Sequence, residues 1–293
     1  MTSNQMGALY MVIAMSAYSI NDALVKLVGV DLPLSQIMVM RGVLASVLLL
    51  VLARFMGEQF LPKSRRDWGF VLLRASCEIA ATYFFLNALF LMPIANAAAI
   101  MQAIPLTVTL AAALFLPEHV GWRRVCAILV GFLGMLLIVQ PGTDGFAEGT
   151  GYVLITVVLV TSRDIVTRYV PAGVPSMSMA VTTAVGVTLF GLVLSSSESW
   201  VPPTPTHTAL LVGASVMILI GYLFVILSMR AGDASFTAGF RYTGLLVALI
   251  AGLLLFDQWP DALTLLGAAI VVGAGLFTLV RENQLRKRAK LRN

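Results

Sequence analysis

The sequence predicts an all-α integral membrane protein of ten transmembrane helices, arranged as two five-helix inverted repeats. Three observations carry that expectation. First, 59% of the 293 residues are hydrophobic and 11% are charged, against about a quarter charged in a soluble domain, and the mean hydropathy is +0.93. A helical span takes ~20 mostly apolar residues, so the chain can cross a bilayer roughly ten times if nearly all of it is used. Second, MPIANAAAIMQAIPLTVTLAAALFLPEHVGW from Met92 and AGDASFTAGFRYTGLLVALIAGLLLFDQWPD from Ala231 align without a gap. They share a polar opening, a break at Pro105 or Gly244, an Ala/Leu/Val run and an acidic close at Glu118 or Asp257. Third, the basic residues gather on one side of the resulting layout.

Cutting the chain at polar and Pro/Gly punctuation gives spans near 6–27, 34–54, 68–91, 93–116, 122–140, 150–170, 175–195, 207–230, 233–256 and 260–281. The connections LMPIAN, QPGTDGFAEGTG and DQWPDA carry residues that turn a chain between helices, which favours ten spans over fewer, longer ones. Long unbroken apolar runs exclude transmembrane strands. The opening MTSNQMGALYMVIAMS has no basic region before its apolar run and continues into Asn21, Asp22 and Lys26, so it reads as a retained first span. Cys77 and Cys126 fall inside spans without metal or redox spacing and read as packed free thiols.

With the N-terminus in the cytoplasm, the inner side holds Arg54, Lys63, Arg65, Arg66, Arg123, Arg124, Arg168, Arg230, Arg281, Arg286, Lys287, Arg288, Lys290 and Arg292, and the outer side holds Lys26. That asymmetry places both termini in the cytoplasm; the location expected is a bacterial inner membrane. The net charge of +5 then belongs to span ends and anionic lipid, not to nucleic acid. Residues 1–141 form the first repeat, 150–281 the second, and 282–293 a basic cytoplasmic tail.

Five spans per half make the second repeat enter the membrane from the opposite side. SINDALVK in the first span and TSRDIVTR in the sixth echo each other, with Asp22 four residues before Lys26 and Asp164 four before Arg168. At 1.5 Å per residue Gln102 lies ~13 Å below the outer end of the fourth span, and Arg241 lies ~12 Å above the inner end of the ninth. Polar groups meeting near mid-membrane in two like halves are the signature of secondary transporters.

The fourth and fifth spans, PIANAAAIMQAIPLTVTLAAALFLPEHVGWRRVCAILVGFLGMLLIVQPG, resemble the EamA-type module of the drug/metabolite transporter superfamily, and FRYTGLLVALIAGLLLFDQWPDALTLLGAAIVVGAGLF resembles its second copy. The resemblance implies ten helices, cytoplasmic termini and a central substrate cavity between the halves. Members similar in this way export amino acids and other metabolites, or take up compounds such as S-adenosylmethionine, riboflavin or nucleotide sugars. The chain departs from the pattern where the acidic loop residue usually follows Gly, since Pro117 precedes Glu118 and Phe256 precedes Asp257. Both acids sit at membrane edges, as turn or helix-capping residues or as substrate contacts. Gly131, Gly134, Gly267, Gly273 and Gly275 suit close helix packing or a dimer surface.

A charged side chain inside the membrane costs at least ~2.5–3.5 kcal/mol, so each needs a partner, water or a task. Arg74 and Glu78 share a face of the third span, either as a self-neutralising pair or as a substrate site with Glu78 carrying a coupling proton. Thr82 and Tyr83 extend that face. Arg241 with Tyr242, near Phe236 and Phe240, suits a carboxylate, phosphate or planar ring, or else pairs with Glu78 or Asp164 to hold a closed state. Gln102 offers a neutral hydrogen bond to the same ligand, or satisfies backbone freed by Pro105. Asn21, Asp22, Ser162, Arg163 and Asp164 occupy corresponding places in the first and sixth spans. Asp22 with Lys26 and Asp164 with Arg168 read as gate or structural ion pairs as readily as ligand contacts. Helix neighbours diverge by about 100°, so Arg163 is not expected on Asp164's face. Arg41 lies near enough to the outer end of its span to snorkel. Among the aromatics Tyr83 and Tyr222 are candidate contacts.

The expectation is a secondary active transporter for a small polar, anionic or zwitterionic metabolite, amino-acid-like or cofactor-like, working by alternating access. The alternative is a facilitative exchanger or uptake carrier for a nucleoside- or vitamin-type compound of the S-adenosylmethionine or riboflavin class. No Walker loop, HExxH or GxSxG is present, AGD at 231–233 lacks the GxGD pattern, and His119 and His207 fall in loops on opposite sides. An enzyme is therefore not expected, and neither is a cofactor or metal. A channel would want a filter loop or a ring of like charges. The partners expected are a small-molecule substrate and the bilayer, with the chain a monomer or homodimer.

Overall fold

The computed structural model describes residues 3–57, 61–62, 64–115, 122–141, 148–171, 173–231 and 237–290. The readings of Lys63, Glu118, His119 and Phe236, and those of the tail's side chains beyond Gln284, lie outside the described residues. The elements are α1 Ser3–Val28, α2 Leu34–Met56, α3 Arg65–Leu91, α4 Ile94–Met101, α5 Ile104–Phe115, α6 Trp122–Val139, α7 Thr150–Tyr169, α8 Ser176–Leu194, α9 Pro205–Ala231, a 3-10 turn Ala238–Tyr242, α10 Thr243–Phe256 and α11 Ala262–Lys290. Among the described residues nine helical stretches are long and apolar enough to cross a membrane, counting α4 with α5 and the 3-10 turn with α10, and Val125–Val139 is a shorter apolar helix. Large apolar side chains point outward along them, Leu133 at 61%, Val158 at 65% and Leu254 at 74% exposed, a pattern suited to hydrocarbon and not to water. The chain is an all-helical, multi-pass membrane protein.

Local chemistry sets the helix ends. Pro33, Pro93 and Pro175 stand immediately before α2, α4 and α8 with extended ψ of 151°, 136° and 136°. There the fixed φ starts a helix and the missing N–H removes a donor that would have no partner. Gly57 closes α2 in the left-handed region, φ 65°, with its N–H on the Ala53 and Arg54 carbonyls. Asp257 closes α10 the same way, at φ 51° and ψ 36°. Its backbone therefore serves as a helix stop.

The two stretches that resemble each other are both interrupted. Pro105 has no N–H to give the Met101 carbonyl, and its ring crowds that oxygen, so the helix stops at Met101 and resumes at Ile104. Across the gap the Gln102 N–H reaches the Ala98 and Ala99 carbonyls at 3.2 Å each, and the Leu106 and Thr107 N–H groups converge on the Ala103 carbonyl at 3.0 Å. In the second stretch the tighter 3-10 turn leads into α10 at Thr243.

The chain forms two compact units, each drawn from both halves of the sequence. The first comprises Met1–Ser19, Met92–Thr150 and Ile220–Asn293, the second Ile20–Leu91 and Gly151–Leu219. In the first, α6 lies along α11. There a Cβ on Gly134 would meet the Gly267 carbonyl oxygen at 2.9 Å, and one on Gly267 would meet the Gly134 carbonyl oxygen at 2.5 Å. α10 packs on α4, with Gly252 facing Ile94. In the second unit α2 and α3 pack on α8, the former through Gly42 against Thr188 and Gly191 against Ser35, Met38 and Val39. Gly273 departs from the packing expectation, because nothing stands within 4 Å of its Cβ position. It opens instead on an apolar groove lined by Trp122, Val130 and Phe277. Cys126 lines the same groove and is exposed, not packed. α11 continues past Arg281 to Lys290, so most of the tail prolongs the last helix.

Candidate functional site

Charged side chains of α3 and α7 meet inside the second unit. Glu78 Oε2 on α3 accepts from Arg163 Nη1 on α7 at 2.6 Å, and Arg163 Nη2 and Nε both reach Asp164 Oδ1, at 2.7 and 2.9 Å. One guanidinium thus serves two carboxylates. The three side chains stay 22%, 25% and 31% exposed for Arg163, Glu78 and Asp164. Arg74, one turn before Glu78, donates from Nε to Thr167 Oγ1 at 3.2 Å and from Nη1 to Thr183 Oγ1 at 3.3 Å. Thr167 donates its own hydroxyl proton to the Arg163 carbonyl at 2.7 Å, and Thr82 donates to the Glu78 carbonyl at 2.8 Å. The four charges sum to zero, and the guanidinium fork suits two planar carboxylates held together.

This geometry corrects two pairings read from spacing. Among the described residues Glu78 takes its ion pair from Arg163 of a neighbouring helix, while the Arg74 guanidinium lies between the α7 and α8 hydroxyls. Arg163 does reach Asp164, because its long side chain folds back across the angle separating the two Cβ atoms, and Asp164 is thereby paired within its own helix without Arg168. Thr167 and Thr183 were not among the sequence candidates. Thr167 follows Arg163 by four residues, which was a usable signal; Thr183 lies on another helix and had none.

Other candidates lie around this network or in the first unit. The Tyr83 ring stands edge-to-face with Phe84 at 5.3 Å and with Phe190 of α8 at 5.7 Å. Asn21 is buried, and its Nδ2 donates to Asp22 Oδ1 at 2.9 Å. The Lys26 ammonium donates to the Leu89 carbonyl. In the first unit Arg241 is exposed and Tyr242 is buried, its hydroxyl lying against Gly275 without a hydrogen-bond partner. Gln102 is half-buried at the helix gap, and its side-chain amide makes no hydrogen bond among the described residues. Tyr222 is half-buried on α9, beside Gly221, which the Tyr18 ring covers. Among the described residues no group of three His, Cys, Asp or Glu side chains is placed to hold a metal.

The pattern of the EamA-like transporter family matches residues 5–140. Over those residues the chain is similar to that family. Relatives extend the likeness over nearly its whole length. The S-adenosylmethionine uptake transporter of Rickettsia felis (strain ATCC VR-1525 / URRWXCal2) is 27% identical over 95% of this chain and 94% of its own. The riboflavin transporter of Vibrio cholerae serotype O1 is 26% identical over 97% and 96%. The pseudopaline exporter CntI of Pseudomonas aeruginosa (strain UCBPP-PA14) is 27% identical over 92% and 94%. A solved structure described as "Crystal structure of protein" superposes with a TM-score of 0.68 over 95% of this chain and 98% of its own, at 16% identity, a likeness of fold alone. The relatives described here are named as an uptake transporter, a transporter and an exporter.

Proposed function

We propose that this protein is a secondary active carrier that moves a small polar, anionic or zwitterionic metabolite across the bacterial inner membrane. It works by alternating access between two five-helix inverted repeats, 1–141 and 150–281, with both termini cytoplasmic. The network of Glu78, Arg163 and Asp164 carries this reading. Ionised groups within spans are tolerated where they pair and where water reaches them; these three pair and keep 22–31% of their side-chain surface open. A guanidinium shared by two carboxylates can surrender one of them to a substrate carboxylate at little electrostatic cost, which frees Glu78 to balance charge or take a coupling proton. Arg74, Tyr83 and Asn21 would line the same site; Arg241, Tyr242, Gln102 and Tyr222, in the first unit, stand as separate candidates for substrate contact. The repeat reading is supported by which helices are neighbours. The second and seventh spans (α2 and α8), the fifth and tenth (α6 and α11), and the fourth and ninth (α4 and α10) each pack together, as counterparts do around a pseudo-two-fold axis in the membrane plane.

The relatives favour a specific second reading, uptake of a cofactor-like compound of the S-adenosylmethionine or riboflavin class. The test is counterflow in proteoliposomes, with labelled S-adenosylmethionine, riboflavin or single amino acids outside and the unlabelled compound inside. Saturable accumulation that Arg163→Gln abolishes is expected. Steady electrical conductance without counterflow would overturn the carrier reading. Accumulation of S-adenosylmethionine alone would select the second reading.

A further inference from the structure

The first unit carries a groove that the carrier reading leaves without a task. It runs along the outer seam between α6 and α11, with a volume of about 580 Å³, and its lining includes Trp122, Arg123 and Val130 of α6 and Gly273 and Phe277 of α11. That volume falls within the range of about 300–1,000 Å³ for sites that take up a small molecule. Trp122, Val130 and Phe277 are exposed, so the groove opens away from the protein.

Its two ends differ. A Cβ on Gly131 would meet the Ala274 Cβ at 3.4 Å, one on Gly134 would meet the Ile270 side chain, and one on Gly267 would meet the Ile138 side chain, so α6 and α11 run antiparallel. Continued toward the start of α6, that register brings Arg123 level with Arg281, the first charged residue of α11. The Arg123 guanidinium stands 5.5 Å from the Trp122 ring centroid, within cation–π range, and Arg281 Nη1 donates to Gln284 Oε1 at 3.1 Å. Among the described residues neither arginine has a carboxylate partner. Beyond Arg123 the lining is apolar. From Trp122 to Val130 it extends ~12 Å at 1.5 Å per residue, close to one leaflet of a hydrocarbon core about 30 Å thick.

An apolar slot one leaflet deep beneath two cations makes two demands on its occupant. A hydrocarbon chain alone fills the slot and leaves the arginines without a counter-charge. A soluble anion answers the arginines and leaves the slot uncovered. A second copy of this chain docked about a two-fold axis would bring its own Arg123 and Arg281 to the same level, setting like charges against each other. A lipid with an anionic head group meets both demands at once.

We propose that the groove between α6 and α11 binds one anionic phospholipid, its phosphate held by Arg123 and Arg281 and one acyl chain lying along the groove over Gly273. Bases at the membrane face of a cleft between spans are the chemistry that recognises anionic head groups. Trp122 stands where head group gives way to chain, the level at which indole rings concentrate. Gly273 leaves room for the chain, since nothing stands within 4 Å of its Cβ position. The site is independent of the substrate and of the direction of transport.

The test titrates lipid into the purified full-length protein in a neutral detergent, counting bound lipid by native mass spectrometry and reading stabilisation from thermal unfolding. Three probes separate the sources of the chemistry: phosphatidylglycerol, phosphatidylcholine with the same acyl chains, and glycerol 3-phosphate, which carries the anion without the chains. Phosphatidylcholine should bind about twentyfold more weakly than phosphatidylglycerol, from about fivefold per arginine. Arg123→Gln should cut that preference to about fivefold, and adding Arg281→Gln should erase it. Gly273→Leu, which fills the groove from its floor, should keep the fold and lose both lipids. Should that variant unfold, the arginine variants still decide the matter through the preference between the two lipids. Equal affinity for the two lipids in the wild type would overturn the proposal, as would phosphatidylglycerol retained undiminished by Gly273→Leu. Stabilisation by glycerol 3-phosphate equal to that by phosphatidylglycerol would make this a site for a free anion and overturn it too. So would a lipid-free dimer that Gly273→Leu dissociates, which would make the groove a contact between copies.

Discussion

Arg163 holds two carboxylates, so its loss exposes both at once. Arg163→Gln leaves Glu78 and Asp164 without their shared cation, and breaking a fully buried pair costs about 3–5 kcal/mol. With 22–31% of these side chains exposed, water screens part of that penalty, and a loss of about 1–3 kcal/mol is expected. Thermal unfolding in detergent reads it. Glu78→Gln should cost less, since Arg163 keeps Asp164, and the counterflow of that variant should lose any dependence on an imposed pH gradient if Glu78 carries the coupling proton. Asp261 gives a pH prediction outside the spans. Gln140 Nε2 donates to its Oδ2, and the Thr264 N–H to its Oδ1, both at 2.6 Å. These bonds hold the carboxyl below its usual range, the Gln140 amide contributing most. A depressed folded-state pKa stabilises the fold above the ordinary carboxylate value of about 4 and loses that effect as pH falls through the folded value. Asp261→Asn should therefore flatten the acid limb of the unfolding-temperature profile by lowering its neutral plateau toward the acid values. That Glu78 and Asp164 stand inside helical spans was legible in the sequence, because an acid in an apolar run stands out. Which cation each would take was not: spacing ranks only partners on the same helix, and the contact from α7 to α3 outranked the i,i+4 pairing of Arg74 with Glu78.

At the scale of elements, the helix pairs are set by where a side chain is absent. Gly134 and Gly267 place backbone oxygen where a Cβ would go, and backbone cannot swing aside as a flexible side chain can. Gly267→Leu should cost about 1–3 kcal/mol or more through overpacking, whereas Gly273→Ala, with nothing within 4 Å, should stay within about 0.5 kcal/mol of wild type. The difference between the two unfolding midpoints checks the assignment of faces. The Gly-rich fifth and tenth spans announced close packing, but composition did not say which glycine faced the neighbour. The gap at Gln102 was legible for a firmer reason, since a proline lacks the N–H that a continuous helix needs. Pro105→Ala should restore that donor, slowing amide exchange at Ala103 and Ile104 while leaving the ends of α4 and α5 unchanged.

For the whole molecule, the positions of the spans followed from the sequence because the bilayer imposes a length on every apolar run; of the ten expected, nine are long enough among the described residues and the fifth is the shorter helix Val125–Val139. The grouping into two compact units did not. In lipid the outer face of a helix is as apolar as its inner face, so hydrophobicity loses the periodicity that reveals a core in a soluble protein. The units that pack are not the halves expected to repeat: each takes helices from both sides of residue 150. Residues 1–141 expressed alone should therefore fail to give a monodisperse, protease-resistant protein. Co-expression with residues 142–293 should recover one, as size-exclusion chromatography and limited proteolysis would report.

The interruption between α4 and α5 bears on how such proteins diverge. Pro105 leaves the Met101 carbonyl without the donor that a continuous helix would supply, and a carbonyl is the same atom whatever side chain its residue bears. A cargo read by main-chain oxygen and nitrogen is read by atoms that every sequence encodes identically. Were cargo bound there, relatives at roughly a quarter identity, like those described here, would keep that part of recognition wherever they keep the break. The vocabulary of preference then sits partly in the trace of the backbone, where an alignment of letters has nothing to compare.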